Sequence, residues 1–329
     1  DDPSAYFKVQ LYTGTGSSNA QTFADTDTDM QPDMVWIKSR SDAFNHMLYD
    51  AARGVQKHIK PDSAAAEATD ANSLTAFGSD GFTVGTNSDI NNSSDTYVAW
   101  CWKANGAGAT NEEGSLNTTK TSANTTSGVS IITYTGNGSA GATIGHGMGI
   151  TPQFFVQKRL AGSGGMDWHC YHVKNGSNPQ NSYLYLNTTN GTQENDSASW
   201  FLNDTYPSSS LITLGNATGS NGSTITYVIY AFAPVQGFSK FGSYEGNAIV
   251  DGTFVYTGFR PACVIIKNID ASDSWRIFDN KRSGYNPDND YLYPNATSTE
   301  STDNIIDLLS NGFKLRKTDD VNAANTYIY

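Results

Sequence analysis

The residue types able to do chemistry fall in a few short stretches. DTDTD at 25–29 alternates carboxylates in a polar loop, the arrangement by which oxygen ligands converge on Ca²⁺, but Met30 and Trp36 stand where such a loop needs its glycine and its twelfth-position carboxylate. Asp50 with Arg53 and Asp279 with Arg282 repeat one pair, each after an aromatic residue, and His172, Lys174 and Asn175 occupy the matching place between them. A carboxylate and a guanidinium so spaced can grip a charged ligand or fix a turn; because the middle copy lacks the pair, a structural role is expected. The glutamates are Glu67, Glu112, Glu113, Glu194, Glu245 and Glu300, and no Glu-x-Asp-x-Glu strand places two carboxylates about 5 Å apart across a glycosidic bond. Of the five histidines, His169 and His172 are three apart on an apparent strand and point to opposite faces, and no His-Glu-x-x-His, Gly-x-Ser-x-Gly or phosphate-loop pattern occurs. The expectation is a non-enzymatic protein without a cofactor, Ca²⁺ at 25–29 being the one ion left open.

Composition narrows the partners. A net charge of -12 opposes a phosphate backbone, so nucleic acid is not expected as a partner. No run of about 18 apolar residues occurs, so no membrane insertion is expected. Cys101, Cys170 and Cys263 have no metal-ligand spacing and read as small buried hydrophobes. Thirteen Asn-x-Ser/Thr triplets, among them Asn137, Asn187, Asn190 and Asn295, are what a chain rich in Asn, Ser, Thr and Gly produces by composition.

The elements that position these residues recur three times. PDMVWIK at 32, PQFFVQK at 152 and PACVIIK at 261 each open on proline (Pro32, Pro152, Pro261) and carry lysine six residues on (Lys38, Lys158, Lys267). Upstream lie VQLYTGTG, SIITYTGNG and KFGSYEGN, and downstream HMLYDAARG, WHCYHVKNG and WRIFDNKRSG. The units close on TYVAW, TYVIY and TYIY; copies two and three share NSYLYLNTT and NDYLYPNAT, and copies one and three share DGFTVG and NGFKLR.

Units of this size with short strands and frequent turns predict an all-β fold of tandem antiparallel β-sandwich modules: residues 1–104, 129–236 and 237–329, joined first by a polar linker at 105–128. The short second junction predicts tight packing of modules two and three, with module one looser. The lysines ending the PDMVWIK-type strands are expected to lay their stems over apolar surface and lift the charge outward. AAAEAT near 64 and NIIDLLSNG from Asn304 are the two helix candidates. The third copy stops at Tyr329 where the others continue as AWCWKA and AFAPVQ, and residue 1 follows no leader, so a trimmed chain or a piece of a longer one is expected.

Written out as YTGTG, PDMVWIKSR, HMLYDAARG, SDGFTVG and DTYVAWCWKA, the module resembles one found in tail-fibre-like and other virion surface proteins of tailed, especially marine, bacteriophages. The match runs over residues 6–104; modules two and three keep the skeleton without the Trp-Lys ending. The resemblance implies a non-enzymatic, lectin-like jelly-roll protein on the virion surface, associated with other virion proteins. It implies a fibre or adhesin that touches host cell-surface glycan, or else a capsid decoration, and a homo-oligomer, trimeric in fibres of this kind. A polysaccharide depolymerase is the enzymatic alternative.

Overall fold

The computed structural model describes residues 2–23, 28–162, 165–194, 197, 199–282, 286 and 288–329. It is built almost entirely of antiparallel sheets. In the first module the opening strand Phe7–Thr13 pairs with the closing strand Thr96–Trp102, which pairs with the lysine strand Met34–Ser39 and then Met47–Asp50. The second module has the same order in Val129–Thr135, Thr226–Phe232, Phe154–Arg159 and His169–His172, and the third in Ser243–Glu245, Thr326–Ile328, Cys263–Asn268 and Arg276–Asp279. A second sheet backs each of these, for example Asn19–Thr22, Gly81–Val84 and Leu74–Gly78 in the first module.

Local chemistry repeats with the topology. The tyrosines before the glycine turn stack on those of the closing strands: Tyr12 on Tyr97, Tyr134 on Tyr227 and Tyr244 on Tyr327, with centroids 5.1, 5.2 and 5.1 Å apart. Their hydroxyls donate to the carbonyls of Ile90, Ser220 and Val321 in the loop that enters the closing strand. A buried asparagine in that loop ties the glycine turn down. Asn91 Oδ1 accepts from Thr15 N while its Nδ2 donates to the Ser17 and Gly85 carbonyls, and Asn221 and Asn322 repeat the pattern. The turn itself requires glycine. A Cβ on Gly14 would lie 2.0 Å from the Asn92 carbonyl oxygen, and one on Gly246 would lie 1.9 Å from that of Ala323.

Each main sheet is buried on both faces. In the lysine strand of the first module Val35 and Ile37 face that module's own sandwich core with Met47, Phe82 and Tyr97. Met34 and Trp36 face the other way, into a core shared with Ile131, Trp168 and Tyr230 of the second module and Trp275, Ile277 and Ile328 of the third. Trp100, Trp168 and Trp275 are fully buried there, each contributing on the order of 5 kcal/mol of gross apolar burial as an upper bound. Three sandwiches thus close around one central core, and the expectation of a loosely attached first module is corrected by it.

Other expectations change for related reasons. The helix candidate at Asn304 lies in the strand Ser301–Leu309, where Ile305, Ile306 and Leu308 find sandwich partners that outweigh helix propensity. The stretch AAAEAT contains the short strand Ala68–Thr69. The polar connection at 105–128 contains the strand Lys120–Asn124, which extends the second main sheet at its edge. Pro32, Pro152 and Pro261 are buried and sit two residues ahead of their strands.

Gly246→Ala is expected to destabilise the protein by at least about 2 kcal/mol, since the carbonyl that its methyl would strike belongs to a paired turn. A urea midpoint indistinguishable from wild type would contradict this account of the glycine.

Candidate functional site

The lysines Lys38, Lys158 and Lys267 are fully buried, which corrects the expectation that they carry charge outward. Both faces of the strand are covered, so there is no surface along which a stem can emerge. The ammonium groups are solvated instead by main-chain oxygens: Lys38 Nζ donates to the Ser39 and Asp42 carbonyls at 2.6 and 3.0 Å, Lys158 to Met166 and Ala64 at 2.5 and 2.8 Å, and Lys267 to Asn268 and Thr189 at 2.6 and 3.2 Å. Burial holds all three down to about 8.

Two of these contacts cross from one module to the next, and they belong to a cyclic set. Trp168 Nε1 of the second module donates to the Lys60 carbonyl of the first at 2.9 Å, and Trp275 Nε1 of the third to the Tyr185 carbonyl of the second at 2.9 Å. His46 holds the equivalent place in the first module. Its Nδ1 accepts from Trp36 Nε1 at 2.8 Å, so Nε2 carries the proton and donates to the Tyr293 carbonyl of the third module at 2.9 Å. Behind each ring, Asp62, Asn187 or Asn295 accepts the backbone N–H of the same residue. A second cyclic set runs between main chains, from Glu67 N to the Leu160 carbonyl, Thr192 N to Ile269, and Glu300 N to Arg40.

Asp50, Arg53, Asp279 and Arg282 lie at the corners of this ring. Arg282 Nε donates to Asp279 Oδ2 at 2.6 Å and Nη1 to Glu300 Oε2 at 3.2 Å, while Trp100 Nε1 of the first module donates to the same Asp279 oxygen at 3.0 Å and its ring lies beneath the guanidinium. Arg53 likewise reaches Asp50 at 2.5 Å and Glu67 at 2.9 Å, and Tyr230 OH of the second module donates to Asp50 at 2.6 Å. Arg40 adds a bond of 2.6 Å to Glu300. At the third corner His172 replaces the aspartate and Asn175 the arginine, with Thr192 Oγ1 donating to Asn175 Oδ1 at 2.7 Å. Burial alone would lower the Arg53 and Arg282 pKa, but their carboxylate neighbours outweigh it and raise both. With Asp50 and Asp279 fully enclosed, these charges stabilise interfaces and have no route to an external substrate.

The remaining sites lie outside the ring. Asp25 and Asp27 of DTDTD lie outside the described residues, and Asp29 is exposed; among the described residues no group of three or more His, Cys, Asp or Glu is placed to hold a metal. Asn91, Asn175 and Asn221 of the Asn-x-Ser/Thr triplets are buried. Four of the seven exposed large hydrophobic residues among those described fall in one short segment of the chain: Ile249, Val250, Phe254 and Tyr256, the last 58% exposed. Phe254 and Tyr256 alternate with buried Val255 on an edge strand, Phe254–Tyr256, so both rings stand on one outward face, and Lys240 Nζ lies 5.0 Å from the Tyr256 centroid. Beside them a cavity of about 760 Å³ opens between the modules.

A single family model covers residues 2–329, so what it describes is the whole three-module ring. The chain belongs to the DUF7483 family. The family is described as a domain of unknown function. Neither curated proteins nor solved structures gave a match.

The sequence reading found neither the interface role of the Asp–Arg pairs nor the exposed aromatic strand. The first had a signal in KHIKPDS at 57–63, the first-module counterpart of NSYLYLN and NDYLYPN, which supplies the Lys60 carbonyl and Asp62.

Two outcomes follow. Asp279→Asn should cost about 3–5 kcal/mol in chemical denaturation, because Arg282 then keeps its charge in a closed site with one partner fewer; a loss below about 1 kcal/mol would show that the corner is solvated. Burial also holds His46 at about 3 and His169 and His172 at about 4, so as pH falls below 6.5 the unfolded chain takes up protons that the folded one refuses. Stability is therefore lost between about pH 6.5 and 4, and Asp62, raised to about 6 chiefly by burial, returns only part of it. From pH 7 to 5 the net loss should be on the order of 4 kcal/mol. General charge repulsion predicts the opposite trend for a chain of net charge -12, so a flat or rising urea midpoint would refute the histidine account.

Proposed function

We propose that this chain is a non-enzymatic bacteriophage virion protein, carried on the particle surface as part of a fibre or adhesin, and that it contacts host cell-surface glycan. The observation that carries the contact role is the outward pair Phe254 and Tyr256, with Ile249 and Val250 beside it. Alternate rings on one face of an edge strand form a platform on which the apolar face of a sugar stacks. The platform is specific to the third module: the matching strand of the first is Asn19–Thr22, with exposed Ala20 and Thr22 where the rings would be. The virion setting rests on the YTGxG, PDxVWIKxR and YVAWxWKA pattern of the first module, whose skeleton the other two keep. A net charge of -12 and a fold whose buried charges are internally paired suit a protein displayed in many copies without aggregating.

The competing reading is a structural virion protein, such as a capsid decoration, in which the same four residues dock against a neighbouring particle protein. An array of bacterial surface polysaccharides separates the two. The adhesin reading expects saturable binding that Tyr256→Ala weakens about tenfold, roughly 1.4 kcal/mol for one stacked ring, with an unchanged melting temperature. Failure to bind any surface polysaccharide, combined with loss of particle incorporation in Phe254→Ser/Tyr256→Ser, would establish the structural role instead.

A further inference from the structure

The outer sheets of the first and third modules share an interior and differ at the surface. Phe313 and Leu315 point into the third sandwich as Phe82 and Val84 do in the first, and Gly312 repeats Gly81. The residues between them point outward. In register across the third sheet, one outward row reads Phe254, Lys314, Asp307 and the next Tyr256, Gly312, Leu309. The matching rows of the first module are Ala20, Thr83, Ala76 and Thr22, Gly81, Gly78, and Gly85 stands where the third has Arg316. Two rings and two cations have therefore replaced small, neutral residues together, on a common frame.

The geometry joins rings and cations into one surface. Gly312 lacks a side chain and the Phe254 ring lies beside it: a Cβ there would stand 3.2 Å from Phe254 Cε2. Tyr256 shares the row of Gly312 and has Lys240 Nζ 5.0 Å from its centroid. Lys314 Nζ meets Asp251 Oδ1 at 2.7 Å, and Arg316 Nη1 lies 3.8 Å from the same oxygen. The Asp251 side chain is 80% exposed, on the loop that also carries Ile249 and Val250. Arg316 is anchored from behind, since its Nε donates to the buried Asp307 at 2.5 Å. A chain of net charge -12 thus gathers Lys240, Lys314 and Arg316 around two exposed rings.

We propose that the sugar bound on this surface is anionic: a pyranose carrying a carboxylate, as in the uronic acid units of an acidic polysaccharide. The proposal rests on the reading of Phe254 and Tyr256 as a glycan platform. The apolar face of the sugar stacks on the two rings, and its carboxylate accepts from the Lys314 ammonium and Arg316 Nη1. Asp251 marks the place, because it already holds a carboxylate oxygen against both cations. As an exposed surface partner it is displaced at little cost, and it competes with the ligand.

The test uses the protein of residues 1–329 with hyaluronan, polygalacturonate and alginate, each beside its carboxyl-reduced form, in biolayer interferometry at low ionic strength. At least one acidic polymer should bind about fivefold or more tighter than its reduced form. The protein's overall negative charge opposes that preference, so it must arise locally. Asp251→Asn should widen the preference by freeing both cations. Lys314→Thr, the first module's residue, should abolish it while leaving the melting temperature and the binding of reduced polymer unchanged. Equal binding of acidic and reduced forms by the unaltered protein, or a preference that survives Lys314→Thr, overturns the anionic assignment and leaves the glycan platform standing. Absence of binding to every polymer in both forms overturns the two together.

Discussion

The structure depends on one constraint: the main sheet of every module has two apolar faces and must bury both. One face is covered by the module's own second sheet, and the other only by the two remaining modules. Antiparallel sheets usually keep one wet face and show it as alternating polar positions. Here MVWIKS is buried at all six positions, and its tryptophan and lysine point towards neighbours rather than water. A single sandwich cut from this chain would expose Trp36, Trp100 and Leu48 together, a patch of the kind that drives association. Three modules are therefore the smallest unit that satisfies the sequence, and the family's match over residues 2–329 agrees with that unit.

An apolar centre alone would let the modules slide. What fixes their rotation is the set of directional contacts at the interfaces: ring N–H to carbonyl from module two to one, three to two and one to three, backbone N–H to carbonyl in the opposite sense, and at two corners an aromatic donor to a buried carboxylate. Such a head-to-tail interface closes when its rotation is one third of a turn, and here it closes within one chain. Two corners use Asp–Arg–Glu and the third uses His172, Asn175 and Thr192. The neutral set avoids the desolvation of a buried ion pair at that corner.

Much of the frame was legible in the sequence because its constraints are local. Tyr12, Tyr134 and Tyr244 with their glycines, the proline-to-lysine strands and the closing Thr-Tyr segments each mark a strand or turn whose chemistry lies within a few residues, and their common spacing exposes the modules. Lys38, Lys158 and Lys267 were misjudged because a lysine at a strand's end looks the same whether its strand faces water or a second module. Asn91, Asn221 and Asn322, which pin the same turn in each module, were lost among many asparagines. NIIDLLSNG carries residues that suit a helix, and only the sandwich core above Ile305 and Leu308 makes it a strand. The corners were the least legible of all, since Tyr230 and Asp50 are 180 residues apart.

Where function resides follows from the same closure. Two modules spend their aromatic and charged side chains on one another, and what they present outward is mostly polar. The third differs in its outer sheet, whose edge strand carries Phe254 and Tyr256. In a ring of repeats, interface residues are held by the geometry of all three corners, whereas an outer edge is constrained by its own module alone. One copy can therefore change its edge while the other two keep the ring closed. Lys240 donates to the Tyr256 carbonyl at 2.7 Å and so ties that edge strand to the start of the third module.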